Sequence, residues 1–244
     1  MSSKHLEMIK SIAYIAVLVI IIRGCIFELY KIPSGSMKET LLVDDTILVS
    51  KFSYGIGPYS AIVPLPIDKR IFFSKPKRGD IIVFKSPHEG DPKDKYIKRL
   101  IGLPGDKIQL IDRVIYINGE AIKLTSHGQF FDKDLNKTYD RFIEENPEGV
   151  KYHVLYNPDL SPGDFPSTTP IYEVPSGYYF FMGDNRDNSI DSRFLKNIGY
   201  IHETRLLGKT QFIMWNGSII NNLLNLFRGE RSFIDVRSVA VNNS

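Results

Sequence analysis

Apolar and polar positions alternate along much of this chain, and the alternation fails in informative places. Near the N-terminus it is absent, and Ile12 to Ile22 reads IAYIAVLVIII. As a helix that run covers roughly 16 Å, short of a hydrocarbon core of about 30 Å. Carried on to Tyr30 it reaches about 28 Å and takes in Arg23 and Glu28, both near the outer end, where long side chains reach the interface. The pattern predicts residues 11–30 as a single membrane-spanning anchor. Lys4 and Lys10 precede it, which puts residues 1–10 in the cytoplasm and the rest of the chain across the membrane. A cleaved secretory signal is the competing reading, but no small-x-small site follows before Pro33.

After the anchor the period shortens towards two. TILVSKF (46–52), DIIVFK (80–85), YIKRLIGL (96–103), VIYINGEAIKL (114–124) and GYYFFMG (177–183) are rich in β-branched and aromatic residues and bounded by Gly, Pro or Asp. Asn118-Gly119 marks a hairpin, because both central residues of a type I′ turn need positive φ. The sequence therefore predicts a mostly β fold. The fold it predicts is a single transmembrane helix followed by an exported antiparallel β-sheet core, made from residues 31–124 and 171–215. Residues 125–170, crowded with charge, Asn, Pro and Gly, predict an inserted, loop-rich smaller β subdomain. Residues 216–244 read as a C-terminal tail, with helical spacing in IINNLLNLF (219–227). The aromatic stretch 52–75 has two readings: a loop resting on the membrane surface, or one folded back on the core.

Composition removes several functions. A net charge of +3 is too mild to argue for nucleic acid. The single cysteine, Cys25, leaves no disulfide framework, and five scattered histidines without an H-E-x-x-H pattern point to no metal and no cofactor.

The remaining chemistry lies in three polar stretches. KIPSGSMKETL (31–41) carries Ser34 and Ser36, and a serine hydroxyl needs a base to become a nucleophile. No histidine sits in a triad-like motif, and the Ser74-Lys75-Pro76-Lys77 spacing is spoiled by Pro76, which disfavours the helical turn it needs. What remains is a lysine remote in sequence. DKYIKRLIGLPGD (94–106) offers Lys98 beside Arg99, and Arg99 keeps its proton at any working pH. Lys98 serves as a base only if its apolar neighbours desolvate it; by spacing alone, a surface lysine is the commoner outcome. GDNRDNSIDSR (183–193) fits a polar turn, or a charge-balanced brace of Asp184, Arg186, Asp187, Asp191 and Arg193, with Ser189 free to orient an amine.

Taken together, PSGSM, RGDIIVFKSP with YIKRLIGLPGD, and GDNRDNSIDSR, in that order behind an anchor, resemble the bacterial type I signal peptidases. The resemblance covers everything but 125–170 and the tail. It implies Ser36 as nucleophile and Lys98 as general base. The Ser36 N–H and the Ser34 hydroxyl become the oxyanion hole, Ser189 orients Lys98, and Asp184, Asp191 and Arg193 brace the site. It also implies that Ile32, Met37, Leu41, Tyr96 and Ile97 line the pocket before the cut, and Tyr30, Ile32, Val83 and Ile97 the pocket two positions earlier. The implied partners are signal-peptide-bearing preproteins cut after small-x-small sites and the lipid of the bacterial inner membrane, with the catalytic domain on its outer face. A related protease with one dedicated substrate, and an inactive anchored homologue, are the alternatives. Two positions depart from the family pattern: Glu39 stands where proline is usual, and Asp44-Asp45 where Gly-Asp is usual.

Overall fold

The structure is a computed structural model, and it describes residues 3–21, 26–61, 64–88, 90–91, 93–160, 165–217 and 233–236. The first element is a helix, α1 (Ser3–Ile21). No helix among the described residues is long and apolar enough to cross a membrane. The expected anchor also ends too late: Phe27–Lys31 is a strand, β1, and Leu29 and Tyr30 belong to the sheet. Phe27, Leu29 and Tyr30 pair in register with Ser50, Leu48 and Ile47, which satisfies their backbone groups in a ladder that a continued helix would not provide.

The main sheet is antiparallel throughout. It comprises β1, β2 (Asp45–Ser50), β3 (Ile81–Lys85), β4 (Lys95–Gly102), β12 (Tyr178–Met182), β13 (Ile201–His202), β14 (Leu206–Asn216) and β15 (Ile234–Asp235). Their order is β1-β2-β14-β3-β4-β12-β13, with β15 also on β14. A three-stranded sheet, β10-β9-β8, is formed by β8 (Lys123–Asp132), β9 (Lys137–Glu145) and β10 (Lys151–Tyr156). Another, β11-β5-β6-β7, comprises β5 (Lys107–Ile111), β6 (Val114–Ile117), β7 (Glu120–Ala121) and β11 (Tyr172–Glu173).

Turn chemistry explains the local register. Asn118 and Gly119 take φ of 54° and 86°, as the type I′ hairpin between β6 and β7 requires. The β5–β6 turn uses Asp112 and Arg113 at φ 48° and 71°, a pair the sequence does not flag because arginine seldom occupies that region.

Three apolar clusters fill the molecule. One joins Ile108, Leu110, Ile115 and Ile117 to Tyr152, Val154 and Tyr156, and so packs the two smaller sheets together. A second lies under β1, β2 and β14 and includes Met37, Leu41 and Ile213. A third gathers Ile82, Phe84, Leu100 and Phe181. Val236 belongs to the second cluster and Ile234–Asp235 pairs with β14, so this part of the expected tail is packed on the sheet. The helix expected over 219–227 lies outside the described residues.

Candidate active site

The segment after β1 makes a sharp turn. Ser34 is extended, with φ −142° and ψ 157°, and Gly35–Met37 forms a single 3₁₀ turn. Lys38 N–H donates to the Gly35 carbonyl at 3.1 Å, and Leu41 N–H to the Met37 carbonyl at 2.8 Å. Met37 and Leu41 are fully buried and hold the turn down, which leaves Ser36 half-buried and Ser34 exposed. Ser34 makes no capping bond with its side chain.

Lys98 projects from β4 to this turn. Its Nζ donates to Ser36 Oγ at 2.5 Å, and the side chain is buried. Burial is the main influence on the amine and lowers its pKa to about 8; Asp191 and Asp184 oppose the shift, while Lys93 and Arg193 add to it. The chemistry such a pair can support is proton transfer from a serine hydroxyl to a neutral amine.

Arg99, one residue on, turns to a different partner. Its Nε and Nη2 donate to the two Asp184 oxygens at 2.8 and 2.6 Å, and Thr40 Oγ1 donates to Asp184 Oδ2 at 2.6 Å. Arg193 grips Asp191 in the same bidentate way, at 2.8 and 2.9 Å, and Gly183 N–H donates to Asp191 Oδ2 at 3.0 Å. Burial would raise the Asp191 carboxyl, but Arg193, the Gly183 N–H and Lys98 together outweigh it and leave the pKa below the ordinary value. Gly183 itself is required by space. A β-carbon there would collide with Ser189 Oγ and with the Ser36 carbonyl.

Ser189 departs from expectation. Its hydroxyl is buried without a hydrogen-bond partner, so the expected bond to Lys98 is not formed, and Lys98 turns to Ser36 instead. The apolar residues also divide. Tyr30, Ile32, Met37, Leu41, Val83 and Ile97 gather in the second cluster. Tyr96 packs with the third and donates its hydroxyl to Asp91 at 2.8 Å. A groove of about 990 Å³ runs over Ser34, Ser36, Tyr96, Ile97, Lys98 and Ser189. The remaining five apolar residues do not line this groove.

Several contacts were not legible in the motifs. Asn185 holds the nucleophile turn from outside, its N–H on the Ser36 carbonyl at 3.2 Å and Nδ2 on the Gly35 carbonyl at 3.1 Å. Arg186 is fully buried and pairs with Glu144 on β9, a partner that only the fold supplies. Asp44, the departure from glycine, adopts φ 68°, a conformation that aspartate tolerates better than most residues, and pairs with Lys31 at 2.7 Å. Among the described residues no group of three or more His, Cys, Asp or Glu is placed to hold a metal.

A protein-family model described as signal peptidase, peptidase S26, matches residues 5–215. The chain belongs to the signal peptidase S26 family. Signal peptidase I of Rickettsia typhi is 43% identical over 219 residues, covering 86% of this chain and 80% of the relative. Signal peptidase I of Rickettsia canadensis is 42% identical over 220 residues with the same coverage. A crystal structure of a signal peptidase I from Enterococcus faecalis V583 matches with 28% identity and a TM-score of 0.34, over 56% of this chain and 97% of that one. The chain is thus a peptidase, and the substrates of signal peptidases are preproteins that carry signal peptides.

Proposed function

We propose that this chain is a membrane-anchored serine endopeptidase that removes N-terminal signal peptides from exported preproteins after small-x-small sites. The observation that carries the proposal is the contact of 2.5 Å between buried Lys98 Nζ and Ser36 Oγ. In its neutral form Lys98 accepts the Ser36 proton as Oγ attacks the scissile carbonyl. The oxyanion that forms is held by the Ser36 N–H and the Ser34 hydroxyl, which no capping bond engages. Lys98 then gives its proton to the departing amine, leaving an acyl-enzyme. Water, deprotonated by the same amine, releases the signal peptide. Once Ser36 is acylated Lys98 loses its partner, and the unbonded Ser189 hydroxyl becomes available to orient it.

The membrane part of the proposal rests on two features. Basic residues precede the apolar run 12–22, the pattern of an anchor with a cytoplasmic N-terminus. In the 52–75 loop Phe52, Ile56, Ile71 and Phe72 point outward, with Phe72 86% exposed, although Arg70 bonds to the Tyr54, Gly55 and Leu206 carbonyls beneath them. A rigidly held apolar surface beside β1 suits the outer leaflet of the bacterial inner membrane.

The test uses detergent-solubilised protein, its Ser36→Ala and Lys98→Ala variants, and a preprotein with an A-x-A site. Cleavage after the final alanine by the parent alone supports the dyad. Undiminished cleavage by either variant refutes it, and a folded parent that cuts nothing favours a dedicated substrate or an inactive homologue.

A further inference from the structure

Two features stand apart from the dyad: the departure at Glu39 and the sheet β8–β10. The structure joins them. Lys38 and Glu39 follow the nucleophile turn directly, are both buried, and carry opposite charges. Lys38 Nζ donates to both oxygens of Asp132, at 2.8 and 2.7 Å, and to Asp134 Oδ2 at 2.9 Å, in the β8–β9 turn. Glu39 Oε1 accepts from Arg141 Nη1 at 3.2 Å, and Arg141 Nε donates to the His127 carbonyl at 2.9 Å. That carbonyl lies where the β8–β9 register shifts, between Ser126 and Gln129. Glu39 Oε2 stands 3.8 Å from His153 on β10.

Buried ion pairs are a weak source of stability, because desolvation consumes most of the Coulombic gain; their best-attested use is to fix one register among several. Here one residue in the pair of anchors is cationic and the next anionic, and each has its complement at a different height of the same hairpin. A slip of the 36–41 segment by one residue in one direction would set Lys38 against Arg141, and in the other direction Glu39 against Asp132.

We propose that Lys38 and Glu39 are positioning residues, through which the β8–β9 hairpin fixes the nucleophile turn and so the aim of Ser36 Oγ at Lys98. The inference rests on the Ser–Lys reading above and gives the inserted sheet a part in it. Glu39 takes over by ion pairing the constraint that proline imposes in the family pattern.

The test compares the full-length parent in detergent with Arg141→Met, Arg141→Lys, Asp132→Asn and Glu39→Gln, and with Glu145→Gln as a control on the same hairpin. For Arg141→Met and Asp132→Asn the expected result is a fall in kcat of about 10- to 100-fold with KM within about twofold, the signature of a misplaced reacting group. Arg141→Lys recovers part of the loss, and Glu145→Gln matches the parent. Amide hydrogen exchange at Lys38 and Leu41 accelerates in the impaired variants relative to amides of β6. Glu39→Gln keeps the side chain's shape, so it reads the tie even where Arg141→Met fails to fold. Unchanged exchange at Lys38 and Leu41 in the folded variants overturns the inference whatever happens to kcat, and so does a kcat within about twofold of an active parent. A folded parent that does not cut the preprotein counts against the proposed function, while the exchange rates still decide whether the hairpin holds the turn.

Discussion

Arg99 and Asp184 are joined by two parallel hydrogen bonds, Nε to Oδ1 at 2.8 Å and Nη2 to Oδ2 at 2.6 Å, with both side chains buried. Arg99 follows Lys98 on β4, and Asp184 follows Gly183 at the end of β12, so the pair locks the lysine strand to the last polar motif. Arg99 also reaches Thr40 Oγ1 at 3.2 Å and the Gly79 carbonyl at 2.9 Å.

Removing one partner of such a pair leaves an uncompensated buried charge. Asp184→Asn is expected to cost about 3–5 kcal/mol, measured by urea or thermal unfolding. Arg99→Lys does not restore it, because one ammonium cannot span both carboxylate oxygens and still bond the Gly79 carbonyl. A loss below about 1 kcal/mol in Asp184→Asn would show the pair to be incidental.

Activity has a defined pH limb. Lys98 titrates at about 8, held below the ordinary lysine value chiefly by burial. In the proposed mechanism the proton acceptor is the neutral amine, so kcat/KM is expected to rise with pH through that value and level above it. Lys98→Arg is inactive across the whole range, since guanidinium keeps its proton. A pH–rate profile that is flat through 8 would remove Lys98 from the base role.

The same shift makes Lys98 a burden on stability. The unfolded chain carries this lysine near 10.5 and the folded chain near 8. Between those values the unfolded state binds more protons, so stability rises with pH across the window, and the full cost is present below it. Lys98→Met is therefore expected to raise stability at pH 7, by on the order of 2–4 kcal/mol, with the gain shrinking towards pH 10.5. Thermal unfolding of both proteins at the two pH values checks the sign.

Gly183→Ala tests the tightest approach in the site. The added methyl meets the Ser189 hydroxyl and the Ser36 backbone carbonyl. A loss of about 1–3 kcal/mol in stability is expected, with a fall in kcat as the Ser36 turn is displaced. Ser189→Gly in the same chain restores little, because the Ser36 carbonyl cannot move without its turn. Wild-type kcat in Gly183→Ala would show that the turn yields freely.

The strands and the Asn118-Gly119 hairpin were legible in sequence because they rest on local rules, alternation and positive φ. The roles proposed for Ser36 and Lys98 are not legible from periodicity, since the lowered pKa of Lys98 comes from burial under segments far away in the chain. The three motifs identified them by resemblance. The brace partners were visible as charges but not as pairs: nothing near Arg186 announces Glu144. The expected anchor runs too far because residues 27–30 extend the apolar run, while the strand partner of this segment, Asp45–Ser50, lies beyond the 35–37 turn. Glu39 read as a defect in a motif, because its complement Arg141 lies in a stretch the pattern had set aside as insertion.

The dispersal of the site along the chain also bears on when it comes into existence. Ser36 is made early, yet its lysine is masked from water only after Gly183 to Arg193 has been added and packed. At roughly 5–20 residues per second, about 8–30 s of synthesis separate the two events. Throughout that interval Lys98 is solvated and carries its proton, and Ser36 is an ordinary hydroxyl. On the proposed mechanism, the chain therefore carries no working dyad until residues 183–193 have packed.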